Sequence, residues 1–404
     1  MLAVLFLLVL LQTLLLAAEL SSSDPKYGRQ ADRTAYWQQV GGDLIWGFNN
    51  MYHLFILREP EDTAYPYKGW FFGWASTPGN TNYGFETGCD MTFAARAPRL
   101  EGPWEVYMGE GKWDTTMNPA LWRPVLRAQN EPFDSWHNGD SSLVKLEGRY
   151  YMAYSSTGFN QDMIPFGHPG DTDSDLCCVM GAVSEDGLVW QRSQRPILLD
   201  ERNVGQAPRA PGEFMHPVGL FHRPSLMRDG EVWRCWFDCF TGTDMPMAYA
   251  ENRGDFLDSA DWKVLNGPDN PLFSNYPNPD VVRIEDVYFA FADPGGYAPL
   301  LPEEVELAAK MDKGWASRKV CELVSLDGLD WLPLGYIERD ADAQANQVPV
   351  AYVESAGGGT YWLYLTYGTQ VWGSYEYDKI RLKRRLITPD LLAEYRELLL
   401  GASQ

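Results

Sequence analysis

The chain has 404 residues, of which 14% are aromatic, with 37 Gly and 27 Pro, a composition rich in strand and turn formers. Its 55 acidic residues against 33 basic ones give a net charge of -22, which argues against a nucleic-acid surface, since neutralising phosphate needs a basic patch. An acidic surface of this kind suits a protein that handles neutral ligands.

Residues 1–18, MLAVLFLLVLLQTLLLAA, are apolar and end before Glu19. They read as a secretory signal peptide, with an uncleaved membrane anchor as the competing reading. No cysteine follows directly, which excludes lipid attachment at a new N-terminal cysteine. Residues 24–404 are expected to form one domain, secreted or periplasmic, with no stable membrane association after cleavage.

The first strand-like segments are DLIWGF (43–48) and YHLFIL (52–57). We expect YHLFIL to be the inner strand of a first unit and DLIWGF the outer strand of the last, so that the chain closes on itself and leaves no open edge. The alternative makes the two an inner hairpin. KGWFFGWAST, MTFAARAP and GPWEVYMG complete the first unit. From Asp140, DSSLVKLEGRYYMAYS reads as a hairpin with a Glu147-Gly148 turn and period-two alternation. CCVMGAV gives a third strand, Asp186-Gly187 a tight turn, and Val189 to Arg192 a fourth.

The same grammar recurs. SEDGLVW at 184–190 returns as SLDGLDW at 325–331, with five of seven positions identical, at a spacing too long for one such unit and right for two. RPSLMRDGEVWRCWFDCF (223–240) opens the unit between them, and NPDVVRIEDVYFAFAD (278–293) matches the second unit almost position for position. PVAYVESAGGGTYWLYLTYG and KIRLKRRLI make the last. Five repeats of four antiparallel strands predict an all-β fold, a five-bladed β-propeller with short helical insertions.

Helices are expected over Glu303 to Lys313, between Pro302 and Gly314, and over Pro389 to Leu400. The loop 158–176 contains GDTDSD, which allows a structural calcium ion but lacks the glycine and twelfth-position glutamate of an EF-hand. A solvated acidic loop is the preferred reading, and no other cofactor is expected. Six cysteines without CxxC or Cys/His zinc spacing point to buried thiols with at most one or two disulfides. Cys235 and Cys239, four residues apart on one strand, are too far apart to bridge while extended.

These repeats resemble the five-bladed propeller glycoside hydrolases, including the family-43 arabinanases and xylosidases and the family-32 fructosidases, over residues 36 to 387. The Ser-x-Asp-Gly-x-x-Trp element is also similar to the Asp box of sialidases, which has one more residue between Asp and Gly. We read it as a structural turn, with Trp190 and Trp331 packing between blades. The resemblance implies a carbohydrate substrate and three carboxylates on successive blades: a base or nucleophile, an Asp that tunes the acid, and a Glu acid.

Asp140 stands where the second of these is expected, next to Trp136, His137 and Asn138, which are placed to bind sugar. Asp280 takes nearly the same place in blade four. Blade three departs from the pattern, reading Phe221-His222-Arg223-Pro224 with no carboxylate, so the acid falls to Glu213 or Glu251, with Asp238 as a third choice. Asp43 serves in blade one only under the alternative strand register; under closure, Asn49 and Asn50 stand there. His222 and Arg223 together allow an anionic sugar, unless Arg223 pairs with Asp140 or Asp280. Trp70, Trp136 and Trp372 are possible stacking platforms.

Overall fold

The computed structural model describes residues 31–48, 51–74, 90–127, 129, 133–134, 138–158, 176–201, 220–239, 245–294, 319–343, 345–370 and 377–402. Five antiparallel sheets follow one another along the chain. Their inner strands are Met51–Arg58, Asn138–Leu146, Phe221–Asp229, Asp280–Ile284 and Ala345–Gly357. Each is paired with the next strand in sequence, and the sheets pack face to face as the blades of a propeller.

Closure follows the expected register. Ile45–Trp46 and Gln38–Gln39 both pair with Tyr377–Ile387 of blade five, while Met51–Arg58 opens blade one. The outermost layer of blade five therefore comes from the start of the described chain, and no blade is left with an unpaired seam. Ala31–Asp32 adds a parallel strand to the outer edge of blade four. The terminal helix, Pro389–Ala402, seats Leu392, Tyr395 and Leu399 against blade four. The expected helix at 303–313, the GDTDSD loop and the apolar run 1–18 lie outside the described residues. Among the described residues no helix is long and apolar enough to cross a membrane. All five described cysteines are buried.

The repeated Ser-x-Asp-Gly turn is a latch between blades. Asp186 Oδ1 accepts the backbone N–H groups of Leu188 and Val189, and Ser184 Oγ accepts those of Asp186 and Gly187. Asp327 and Ser325 repeat the arrangement. The preceding blade then docks on each turn: Trp70 Nε1 donates to Gly187 O at 2.9 Å, and Trp236 Nε1 donates to Gly328 O at 2.7 Å. Only glycine fits. Gly187 has φ +74°, and a Cβ there would meet Trp70 Cζ2 at 2.7 Å. Gly187→Ala is expected to lower unfolding free energy by about 3 kcal/mol, combining backbone strain with overpacking. Gly148, with φ +83° and open space around it, supplies the comparison. Gly148→Ala should cost about 1 kcal/mol, and equal losses in urea denaturation would refute the latch.

Two rings of hydrogen bonds stack along the propeller axis. In the upper ring, Ser155 Oγ, Asp238 Oδ2 and Asp293 Oδ2 accept the backbone N–H groups of Arg223, Asn278 and Val348, each on the following blade. In the lower ring, Ser142 Oγ, Ser225 Oγ and Asp280 Oδ2 accept those of Leu226, Val281 and Ala351. Buried backbone donors at the centre of a propeller lack sheet partners there, and these side chains satisfy them. Below the lower ring the channel widens into a cavity of about 450 Å³, walled by apolar side chains such as Phe55, Leu143 and Val282. The upper ring borders a polar cluster around Asp140, which we term the axial pit.

Candidate active site

Each inner strand enters the axis through the same backbone feature. His53, Asp140, Arg223, Asn278 and Val348 hold positive φ, between 47° and 57° for the first four and 50° for Val348. In blades one, two, three and five, this residue and the next are bulged out of the ladder. Bulges re-aim side chains, and here they bring residues from three blades into contact. Asp140 is the centre. Its Oδ1 lies 3.8 Å from His53 Nδ1, and its Oδ2 lies 3.4 Å from Arg223 Nε and 3.6 Å from His222 Nε2. On the far side of His222, Nδ1 lies 3.7 Å from Asp238 Oδ1. Arg223 Nη1 reaches 3.9 Å from Asp238 Oδ2.

One wall of the pit is apolar. Tyr52 and Phe72 stack with ring centroids 4.1 Å apart, and Val348 completes the cluster. Gly139 exists because of this wall: a Cβ there would lie 2.3 Å from Phe72 Cδ2.

The electrostatics follow from burial. Asp238 is fully buried, and its carboxyl is pushed up to about 7, with Arg223 only partly offsetting the loss of water. Burial works against the Arg223 charge, but Asp140, Tyr52 and Asp238 hold it cationic. Burial lowers His53 below the usual imidazole range. Asp280 is pushed up to about 6 by burial, against the hydrogen bonds it accepts from Ala351, Ser225 and Val281.

Asp238 and Asp280 both keep protons that the unfolded chain would release at lower pH. The folded state therefore binds more protons through the window from the ordinary aspartate value up to about 7, and their contribution to stability falls as pH rises. Asp280→Asn should flatten the fall of Tm across about pH 4 to 6 relative to wild type. Parallel curves would show that Asp280 is ionised throughout.

The structure corrects several expectations. Asp280 does not face the pit. Its carboxylate clamps Ser225 and Ala351 in the lower ring, two residues further along the strand than the position matching Asp140, which is held by Asn278. Asp43 sits on the outer side of blade five, bound to Arg381 at 2.7 Å. Glu251 lies opposite Arg234 and Lys263 at the end of blade three far from Asp238, where it accepts from Tyr249 Oη. Asn138 is buried behind the pit and donates to Asp134 in a network with Arg192, so it is not a sugar contact. Trp70 is 3% exposed and serves the blade latch instead of a stacking platform. Glu213, Trp136, His137 and Trp372 lie outside the described residues. Arg223 is paired, as one reading had it, but with Asp140 and Asp238 instead of Asp280.

His222, Arg223 and Asp140 do meet, and Asp238, the third choice for the acid, joins them. His53 was missed altogether. Among the described residues no group of three or more His, Cys, Asp or Glu side chains is placed to hold a metal ion.

No protein-family model matches the chain, and no curated protein matches it. Solved structures do share its fold. BT0996, in a complex with RGII, is 14% identical with a TM-score of 0.55, over 87% of this chain and 92% of its own length. A glycoside hydrolase is 13% identical with a TM-score of 0.54, over 88% and 92%. A thermostable family-43 glycoside hydrolase is 11% identical with a TM-score of 0.52, over 87% and 94%. The fold is that of the five-bladed propeller glycoside hydrolases. Identity this low carries the architecture alone, and the reaction has to be argued from the pit.

Proposed function

We propose that the protein is a glycoside hydrolase acting in the axial pit. The observation that carries this is the convergence of unsatisfied polar atoms. His53 Nδ1, Asp140 Oδ1 and Asp238 Oδ1 are all buried without a hydrogen-bond partner, and all lie in the cluster around Asp140. Burying such atoms unpaired costs about 1–3 kcal/mol each, a penalty that a polyhydroxylated ligand would relieve.

His222 stands in blade three where a carboxylic acid was expected, half-exposed between two buried carboxylates. An imidazole held between Asp140 and Asp238 is placed to donate to the leaving glycosidic oxygen. Asp140 tunes that acid, and Asp238 orients its ring. Arg223 is paired with Asp140, which supports a neutral sugar over an anionic one and over the phosphate of a phosphorylase. The run 1–18 supports action outside the cytoplasm.

The missing glutamate keeps one second reading in view, a propeller that binds glycans without cleaving them. Purified protein assayed on a panel of aryl furanosides and pyranosides, and on plant and algal polysaccharides, separates the two. Turnover of at least one member with a bell-shaped pH profile is the expected result. Glycan retention on an affinity gel with no turnover of any member would replace the hydrolase with the binder.

A further inference from the structure

The pit contains a second histidine that this hydrolase reading leaves without a role. His53 occupies in blade one the positive-φ position that Asp140 occupies in blade two. It is 4% exposed, and the orientation of its ring is fixed from one side: Nε2 lies 3.2 Å from the carbonyl oxygen of Ser141. A carbonyl oxygen only accepts, so Nε2 carries the hydrogen and Nδ1 is left as a bare acceptor. The charged groups facing the ring are Asp140 and, more distantly, Arg223.

Nδ1 looks across 3.8 Å to Asp140 Oδ1, which also only accepts, and both atoms are buried without a partner. Two acceptors at that separation are too far apart for a hydrogen bond to each other. They are well spaced to receive the two hydrogens of one water molecule, with its oxygen about 2.8 Å from each. Water held so has its lone pairs turned away from both acceptors.

We infer that His53 Nδ1 and Asp140 Oδ1 form the cradle of the hydrolytic water, and that His53 is the general base. This rests on the hydrolase reading. In the step it supports, the water oxygen bonds to the anomeric carbon as that carbon's bond to the leaving oxygen breaks. One water proton passes to His53 Nδ1, and His222 gives its proton to the leaving oxygen. Turnover leaves His53 protonated and His222 bare, on opposite oxygens of one carboxylate. Asp140 is then the path by which the proton returns, and the enzyme is reset without net loss or gain. Burial, which disfavours the His53 cation, keeps the base neutral between turnovers.

His53→Asn is the test, since asparagine accepts positive φ readily and should fold. On any panel substrate that wild type cleaves, kcat should fall by about 10³-fold, KM should stay within about threefold, and the acidic limb of the kcat profile, lying below about pH 6.5, should disappear. A purely structural role for the ring would leave that limb in place. Nitrogen-15 NMR of histidine-labelled full-length protein, with the His53 signals assigned by their loss in the variant, should show the neutral Nε2–H tautomer at pH 7. A doubly protonated His53 at that pH would make the contact an ion pair and overturn the base, as would an unimpaired variant. If wild type cleaves nothing on the panel, the hydrolase reading falls and the base with it; if wild type is active and His53→Asn equally so, only the base falls.

Discussion

Asp140→Asn should lower turnover by about 10³-fold while glycan binding survives, the middle of the range that an acid/base group contributes. The carboxylate is the one group that touches both histidines and the guanidinium. Its negative charge lies beside both His222 and Arg223, and an amide of the same shape supplies none. The substitution is conservative for the backbone, because Asn tolerates the φ of +48° found at this position as well as Asp does. Loss of activity with an unchanged Tm would therefore report chemistry. The same variant should bind a non-hydrolysed glycan within about threefold of wild type, since Asp140 is one of several polar contacts in the pit. Full activity in Asp140→Asn would remove the reaction from the pit altogether.

The sequence made the blades easy to see and the pit only half so. Alternation in YYMAYS and the Gly turns repeat with enough fidelity to count five units, and DLIWGF found its place in blade five because an open sheet edge is unfavourable. Asp140 was readable as a carboxylate at a strand start. Asp280 was misplaced although the repeat alignment already set Asn278 opposite Asp140 and Asp280 opposite Ser142. A shift of two residues keeps a side chain on the same face of a strand but moves it one step down the axis, from the pit into the clamp ring. His53 is not legible in the sequence, because the resemblance implies carboxylates and nothing in a single strand marks the positive φ that turns this residue inward. Asp238 was legible as an acid on a second strand, but its place beside His222 depends on the pairing of the two strands. The Trp70 latch needed the turn of the following blade, more than a hundred residues away, to be recognised.

The largest stability effect should come from the seam where the ring closes. Glu322 of blade four is fully buried and pairs with Arg385, itself 2% exposed, on the third strand of blade five. Arg33, next to the strand that edges blade four, approaches the same carboxylate at 3.5 Å and donates to Tyr395 Oη on the terminal helix. The Arg385 guanidinium also lies over the Trp37 ring, 5.3 Å from its centroid. One carboxylate thus compensates two cations contributed by segments that are distant in sequence. Glu322→Ala should cost about 4 kcal/mol in urea denaturation, because it leaves Arg385 buried and unpaired. Limited proteolysis of the variant should cut first within 31–48, the segment that supplies blade five with its outer strands. Pairing Glu322→Leu with Arg385→Met should recover most of that loss, since replacing both buried ions by apolar groups avoids desolvating either. If the double variant were no more stable than Glu322→Ala, the seam would depend on the ion pair itself, and the apolar packing of Trp37, Phe289 and Tyr395 around it would not suffice to hold the ring shut.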